Sequence, residues 1–544
     1  MKKFILLLTI FVICFGAQSA EAKETANIPA CTVTLSGQSV DNTYRQFPLL
    51  QYRDIVYFPM TYYDCRFLGV STNWDDATRT LTINKENISG AYRDYNWDWK
   101  NGKLNEVSVC NFNIIVNGKE INNKNEPYPL ITFRDVTYFP LTWRFAVDEF
   151  GWEYSYDNEN GLIINADNYI CKTLNLPDLR NEILPNAATD GKYYYYTGNS
   201  KKIYRTPAQD ISKNELIYTT AHNHYTNGGN NNITFTEEDG NIYLAYRTGA
   251  SMGTDYRYKI NPDGTVTDSD EGSYRKTFVG GAEEVYALDG YTVKVYRGGE
   301  GTSRVIYYKD GSDAMTEILK DNIVFSEIRP LDEGCLNPGI HILGHSIYLA
   351  GYDKTTEENS CLYKYDLGTE TLSLISKNIG GFFAFTGWDN DTKSDSEMVV
   401  YYQDGKMYRY SSASENIIVI NENSLPLNIG VCYQGTLYLH TTDGEKTVVE
   451  IYPNYGIGSL AGAHIFETTL PTNAYISGGM LVTCSFGEED GEKDIRTCVF
   501  NNPAYFFRSS DYMNYFFIGN GKLLYTPDNE TTIVEVDLNK TFSN

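Results

Sequence analysis

From residue 191 onward, this 544-residue chain repeats one local theme eight times: a short aliphatic and tyrosine-rich run, then a second run that alternates with Lys or Arg. Gly191-Lys192-Tyr193-Tyr194-Tyr195-Tyr196 leads to Ile203-Tyr204-Arg205, and Gly240-Asn241-Ile242-Tyr243-Leu244 leads to Tyr256-Arg257-Tyr258. Val285-Tyr286, Ile347-Tyr348, Tyr401-Tyr402, Leu437-Tyr438, Leu481-Val482 and Leu524-Tyr525 open the later copies. A recurrence of roughly 40 to 60 residues built from short strands fits the length of one propeller blade. A lone hairpin cannot bury both faces, whereas stacked blades bury them against one another. The reading is a mainly β protein with a β-propeller of seven or eight blades over 186–540. An irregular β-rich solenoid or paired β-domains is the alternative. The tyrosines are expected between blades, with the Lys and Arg side chains in solvent. The chain carries 46 Tyr against 25 Phe and 6 Trp, and Tyr suits half-buried strands.

A second repetition lies near the N-terminus. Arg53-Asp54-Ile55-Val56-Tyr57-Phe58-Pro59-Met60-Thr61 returns as Arg134-Asp135-Val136-Thr137-Tyr138-Phe139-Pro140-Leu141-Thr142, an offset of 81. Each copy opens with an alternating strand and a turn, Val33-Thr34-Leu35-Ser36-Gly37 or Ile115-Val116-Asn117-Gly118. Asn-Gly is a strong hairpin signal because a type I′ turn needs positive φ at both central residues. After the Arg-Asp turn and a short strand, Pro59 and Pro140 suit the start of a helix. Helices are predicted over 60–68 and 141–150, stopped by Gly69 and Gly151. A closing hairpin follows in each copy. The organisation read from this is one small α+β module over 30–86, a linker over 87–110, a second module over 111–168, and a linker over 169–185.

The order of these motifs resembles the copper amine oxidase N-terminal-like domain, or stalk domain, of secreted and wall-associated proteins of Gram-positive bacteria. Gly37, Pro48, Arg53, Tyr57, Pro59, Gly69, Trp74-Asp75, Thr78, Thr80 and Ile83 carry the likeness in copy one. Asn117-Gly118, Arg134, Tyr138, Pro140, Gly151 and Asp157 carry it in copy two. Copy two departs by Tyr156 in place of the Trp and by Asn160-Gly161 near the threonines. Thr61 and Thr142 stand where the family has Arg. The resemblance implies a supporting module, not oxidase chemistry. The quinone-forming tyrosine of true copper amine oxidases lies in an Asn-Tyr-(Asp/Glu) context, and Asn168-Tyr169, Asn454-Tyr455 and Asn514-Tyr515 are followed by Ile, Gly and Phe. The later repeats resemble secreted β-propellers related to low-density-lipoprotein-receptor YWTD blades.

Residues 1–22 read as a secretory signal peptide: Lys2-Lys3, an apolar run over 4–15, then small residues allowing cleavage after Ala20 or Ala22. That run is too short for a membrane anchor. Ile13 before Cys14 argues against lipidation. The polar tail 538–544 carries no sorting motif. Net charge is −25, with 70 acidic against 45 basic residues, so phosphate backbones are repelled and nucleic-acid binding is not expected. Beyond Cys14 the cysteines are Cys31, Cys65, Cys110, Cys171, Cys335, Cys361, Cys432, Cys484 and Cys498. No CxxC occurs. Cys484 and Cys498 flank one acidic loop, and either a bridge or two buried thiols fits that placement.

Catalytic chemistry is not legible. His222-Asn223-His224 has the alternate spacing of metal sites but lies in an Asn/Gly-rich stretch that reads as a surface loop. His341 and His345 lack the Glu of a zinc-protease helix. Asp389-Asn390-Asp391-Thr392-Lys393-Ser394-Asp395-Ser396-Glu397 offers hard oxygens to calcium without the central Gly of an EF-hand, and reads first as a solvated loop. Asn261-Pro262-Asp263-Gly264 reads as a turn. Arg53 with Asp54, and Arg134 with Asp135, read as turns whose Arg braces the module. No nucleophile motif or phosphate loop is found. No catalytic, cofactor or metal residue is therefore assigned, and no cofactor. The expectation is a secreted or cell-wall-associated, non-enzymatic envelope protein without a transmembrane anchor, whose stalk supports a propeller that binds a cell-wall polymer, glycan or surface protein. The alternative is a propeller-based glycan-active or other hydrolase with scattered carboxylates.

Overall fold

The computed structural model describes residues 24–540 except 182–183, 221–225, 228–229, 232, 239, 249–253, 269–282, 297–303, 319–322, 326–338, 354–359, 454–462, 470–471, 490–491, 502–505 and 528–529. The leader 1–22, His222, His224 and Cys335 lie outside the described residues. The protein is mainly β, and it divides into two compact units: residues up to Lys85 with Arg93–Ala166, and Glu86–Tyr92 with Asp167–Asn544.

In the first unit the two sequence copies are interlocked. Ile55–Pro59 of copy one pairs with Val136–Pro140 of copy two in antiparallel register, Tyr57 opposite Pro140, Phe58 opposite Phe139, and Pro59 opposite Tyr138. Proline has no N–H to give to a ladder. The next residue serves instead: Met60 N donates to Thr137 O at 2.9 Å and Leu141 N to Val56 O at 2.8 Å. These strands belong to a closed six-stranded barrel that also holds Glu24–Asn27, Leu50–Tyr52, Ile131–Phe133 and Leu104–Val109. Ala26, Leu50, Tyr52, Tyr57, Val107, Ile131, Phe133 and Tyr138 fill it. The stretch 87–110, read as a linker, thus contributes a barrel strand.

Each closing hairpin is completed by the other copy. Thr80–Lys85 pairs in parallel with Asn113–Val116, and Gly161–Ala166 pairs in parallel with Val33–Leu35. A two-stranded hairpin has too little surface to stand alone, and the exchange extends each one into a four-stranded sheet. Short helical segments follow the prolines, Tyr62–Phe67 in α form and Trp143–Glu149 in π form. Thr61 and Thr142 cap them, with Asp64 N at 3.2 Å from Thr61 Oγ1 and Phe145 N at 3.4 Å from Thr142 Oγ1. Thr61 and Thr142 are therefore N-caps. Gly69 and Gly151 take φ of 76° and 69° just past the segments, a left-handed stop that favours glycine.

The described residues of the second unit hold eight antiparallel sheets met in chain order, together with a two-stranded pair at Thr226–Asn227 and Asn230–Asn231. Sheet one is Ala187–Thr189, Tyr193–Thr197, Lys202–Pro207 and Glu215–Thr219; sheet two is Thr234–Glu238, Asn241–Thr248, Thr254–Ile260 and Val266–Asp268. Sheet three is Glu283–Leu288, Tyr291–Tyr296, Arg304–Lys309 and Met315–Glu317. In sheet four, Ile323–Phe325 and Ile340–Leu343 both pair with Ser346–Asp353, followed by Cys361–Asp366 and Thr371–Ser376. Sheet five is Phe382–Asp389, Ser394–Gln403, Lys406–Ser411 and Ile417–Asn421; sheet six is Leu427–Tyr433, Thr436–Thr442, Thr447–Tyr452 and Ala463–Thr468. Sheet seven is Thr472–Ser477, Met480–Glu489, Glu492–Phe500 and Phe507–Ser509. Sheet eight is Met513–Gly519, Lys522–Pro527 and Ile533–Asp537, and its fourth strand is Cys171–Leu174, from the start of the unit. Successive four-stranded sheets, the last closed by an early strand, are the organisation of a β-propeller. The stretch 169–185, expected as a linker, supplies that closing strand.

Alternation along the strands explains the stacking, since neighbouring side chains point to opposite faces. On sheet five, Val399 and Tyr401 pack with Tyr348 and Leu362 of sheet four, while Met398 and Val400 pack with Leu437 and Leu439 of sheet six. Sheets six and seven share Tyr438, Ile451, Leu481 and Phe500, and sheets seven and eight share Val482, Val499, Leu523 and Val534. Sheets eight, one and two share Phe517, Tyr195 and Leu244. The buried tyrosines thus lie between sheets, as the alternation predicts. The segment Glu86–Tyr92 joins this unit through bridges Ser89 to Ser509 and Ala91 to Cys171.

Candidate functional site

The residues singled out in the sequence are placed apart. His341 sits on the strand Ile340–Leu343, and His345 sits in the turn after it. The His341 ring lies 5.2 Å from the centres of both Phe382 and Phe383. Burial pushes its imidazole down to about 4, because desolvation disfavours the charged form. His345 Nε2 instead meets Asp289 O at 2.9 Å. A strand residue and a turn residue with separate partners do not form a joint ligand pair.

Of the acidic stretch 389–397, Asp389 is turned inward while residues 390–395 are exposed. Asp389 is fully buried and accepts from Asp391 N at 2.7 Å, from Ser414 Oγ at 2.7 Å and from Ser411 Oγ. The Ser411 hydroxyl leads these donors in holding its carboxyl well below the usual carboxylate range. Asp391 accepts from Asn416 Nδ2 at 3.0 Å, and Glu397 accepts from Tyr348 OH at 2.7 Å. The oxygens that suggested calcium serve to tie turns and sheets. Among the described residues, no group of three or more His, Cys, Asp or Glu is placed to hold a metal ion.

The Arg-Asp turns are braces. Arg53 and Asp54 take φ of 49° and 65°, and Arg134 and Asp135 take 49° and 63°, so both copies turn without glycine. The Arg53 guanidinium lies 4.9 Å from the Tyr52 ring centre. That of Arg134 lies 4.0 Å from Trp97 and 4.4 Å from Phe133, and donates to Asn101 Oδ1 at 3.0 Å. Asp263 closes its own turn, accepting from Thr265 N at 2.9 Å.

Sequence reasoning missed a family of carboxylates that accept hydroxyls from neighbouring strands. Tyr194 OH of sheet one donates to Glu535 Oε2 of sheet eight, whose other oxygen lies 3.0 Å from Lys522 Nζ. Ser424 Oγ and Tyr452 OH donate to buried Glu450 at 2.5 and 2.6 Å. Tyr525 OH and Ala91 N donate to Asp511 Oδ2 at 2.9 and 2.8 Å. Burial and Glu535 push the Tyr194 phenol well up. A buried charge persists only when hydrogen-bonded or paired, and here hydroxyls do that work. Tyr452 and Glu450 are two residues apart on one strand, but Tyr194 with Glu535 and Ala91 with Asp511 are hundreds of residues apart, so no local signal could have revealed those pairs.

The expectation that Lys and Arg of the repeats face solvent fails at Arg205 and Arg409, which are buried. Arg205 Nε donates to Glu215 Oε2 at 2.8 Å within sheet one, and one terminal nitrogen donates to Pro262 O at 3.1 Å in the turn of sheet two. A residue on the third strand is covered by the next sheet, and the guanidinium spans that junction. Cys484 and Cys498 are both buried. Thr483 pairs with Cys498 and Cys484 with Thr497, which sends the two sulfurs to opposite faces of sheet seven and leaves no path for a bridge.

No helix among the described residues is long and apolar enough to cross a membrane. No protein-family model matches the chain, and no curated protein matches it in sequence. Solved structures to which the chain shows similarity include a prolyl endopeptidase, 13% identical over 67% of this chain and 51% of that one, with a TM-score of 0.30. The chain therefore spans about half the length of that enzyme. The β-propeller domain of the Trilobed protease from Pyrococcus furiosus is 13% identical over 46% of this chain and 80% of that one, with a TM-score of 0.27. TolB from Acinetobacter baumannii is 12% identical over 69% and 79%, with a TM-score of 0.26.

Proposed function

We propose that this is a secreted, non-enzymatic cell-envelope protein whose N-terminal unit acts as a stalk and whose eight-bladed propeller binds a cell-wall polymer, glycan or surface protein. The observation that supports binding over turnover is the engagement of the buried propeller carboxylates. Asp389, Glu450, Asp511 and Glu535 each accept hydroxyl donors within or between sheets, which is the pattern of a braced scaffold. The stalk reading is supported by the likeness of the Arg53 and Arg134 motifs to the copper amine oxidase N-terminal-like domain, and secretion by the pattern of residues 1–22. Function belongs to sites on a fold, not to the fold itself. The test is co-sedimentation of the purified protein with cell wall and with host glycans, followed by analysis of soluble products. Retention without product supports the proposal. Product release that a single Asp or Glu substitution abolishes overturns it in favour of a hydrolase.

A further inference from the structure

The tyrosine richness of this chain is expressed differently in its two units. Among the described residues of the second unit, the large exposed hydrophobics are Ile170, Leu216, Met315, Leu374, Ile417 and Val419, none of them aromatic. In the first unit aromatic rings predominate among them, and four occupy repeat-equivalent positions. Tyr62 and Trp143, the first residues of the two helical segments, are 47% and 67% exposed. Trp74 and Tyr156, on the sheet-edge strands Val70–Asp75 and Trp152–Asp157, are 44% and 62% exposed. The edge position follows from the exchange of hairpins, which covers the opposite side of each sheet.

In copy one the two rings are held in place. The Arg66 guanidinium lies 4.0 Å from the Tyr62 ring centre and donates to Thr72 Oγ1 at 3.2 Å. Thr72 and Trp74 are alternate residues of one strand and share a face. Arg66, itself buried, thus links the exposed Tyr62 to the strand that carries the exposed Trp74. Trp74 packs edge-on against Phe112 at 5.2 Å and donates from Nε1 to Asp76 Oδ1 at 3.3 Å. A ring fixed on one side costs little further ordering when a ligand covers the other.

We propose that these two repeat-related aromatic stations bind an uncharged polysaccharide. A flat ring with a polar edge suits the C–H face of a pyranose, and exposed polar groups beside it, such as Asp76, suit its rim. A net charge of −25 repels an anionic polymer. Duplication offers equivalent stations to a ligand that itself repeats, and joint engagement raises avidity. The proposal stands apart from the role given to the propeller, because all four residues lie in the first unit.

The test is depletion of the full-length protein by insoluble chitin, by cellulose and by insoluble β-1,3-glucan. Binding to at least one of these is expected. Tyr62→Ala with Trp74→Ala, or Trp143→Ala with Tyr156→Ala, weakens it by roughly tenfold per pair, and the quadruple variant loses it at unchanged melting temperature. Trp143→Phe retains binding, because the flat ring remains. Leu216→Ala, on the second unit, binds as the parent does. Absence of binding to all three polymers, or a folded quadruple variant that binds as the parent does, overturns the proposal.

Discussion

Phe58 and Phe139 stand at the same position of the two sequence copies and face each other as register partners. A local twofold therefore passes between them, and the two copies form one body around it. Phe58 also packs edge-on against Trp152 of the other copy, with ring centres 4.9 Å apart. Truncation of a buried Phe costs about 3–5 kcal/mol. Phe58→Ala and Phe139→Ala are each expected to lower stability by that order, with a double variant that departs from additivity because Phe58 packs on Trp152 and Phe139 on Phe150, which touch each other. Urea denaturation of the two single variants and the double variant checks this.

The exchanged hairpins make a sharper prediction. A fragment of residues 24–86 lacks Asn113–Val116, the strand that completes its closing sheet, and is expected to stay unfolded. A fragment of residues 24–166 contains both halves and is expected to melt in one cooperative step. Circular dichroism and amide spectral dispersion of the two fragments decide it. An independently folded 24–86 fragment would show the exchange to be dispensable.

Tyr194→Phe keeps the ring between sheets one and eight and removes only the hydroxyl given to Glu535. Leaving a buried carboxylate short of a donor costs about 1–3 kcal/mol. The expected result is a lower denaturation midpoint with an unchanged m-value. A shift within measurement error would mean that solvent replaces the hydroxyl.

Acid destabilises this protein through its histidines before its carboxylates. Burial pushes both His341 and His440 down from 6.5 to about 4. Above 6.5 both folded and unfolded states are neutral at these sites, and no penalty exists. As pH falls from 6.5 towards 4 the unfolded chain takes up protons that the folded protein refuses, so stability drops. One pKa unit is worth about 1.4 kcal/mol, which puts the loss at up to about 3 kcal/mol for each histidine. The melting temperature is expected to fall between pH 7 and pH 5, and His341→Gln with His440→Gln is expected to flatten that slope.

Cys484 and Cys498 are expected to alkylate fully after denaturation of protein kept under air without reductant, and reductant is expected to leave the melting temperature unchanged. A mass two hydrogens short on the peptide pair containing them would contradict the register of sheet seven.

Alternation and turn residues in the sequence were enough to place the second and third strands of most sheets, because those strands are covered on both faces and carry the strongest apolar pattern. In sheet three the same signal marked the first and second strands instead, Glu283–Leu288 and Tyr291–Tyr296. Outer strands such as Ile417–Asn421 are partly exposed, and their pattern fades. The candidate chemistry was legible only as residue types. Asp389 looked like a solvated acid in sequence, and only its four donors reveal a staple.

The sequence by itself determined a mainly β protein, a duplicated N-terminal element and a tyrosine-lined repeat, because side-chain period and turn chemistry are local properties. Tertiary structure alone decided that the two copies exchange hairpins, that Cys171–Leu174 closes the last sheet, and that Cys484 and Cys498 point apart. Each of these depends on strand register or on partners distant along the chain, and a shift of one residue reverses every face.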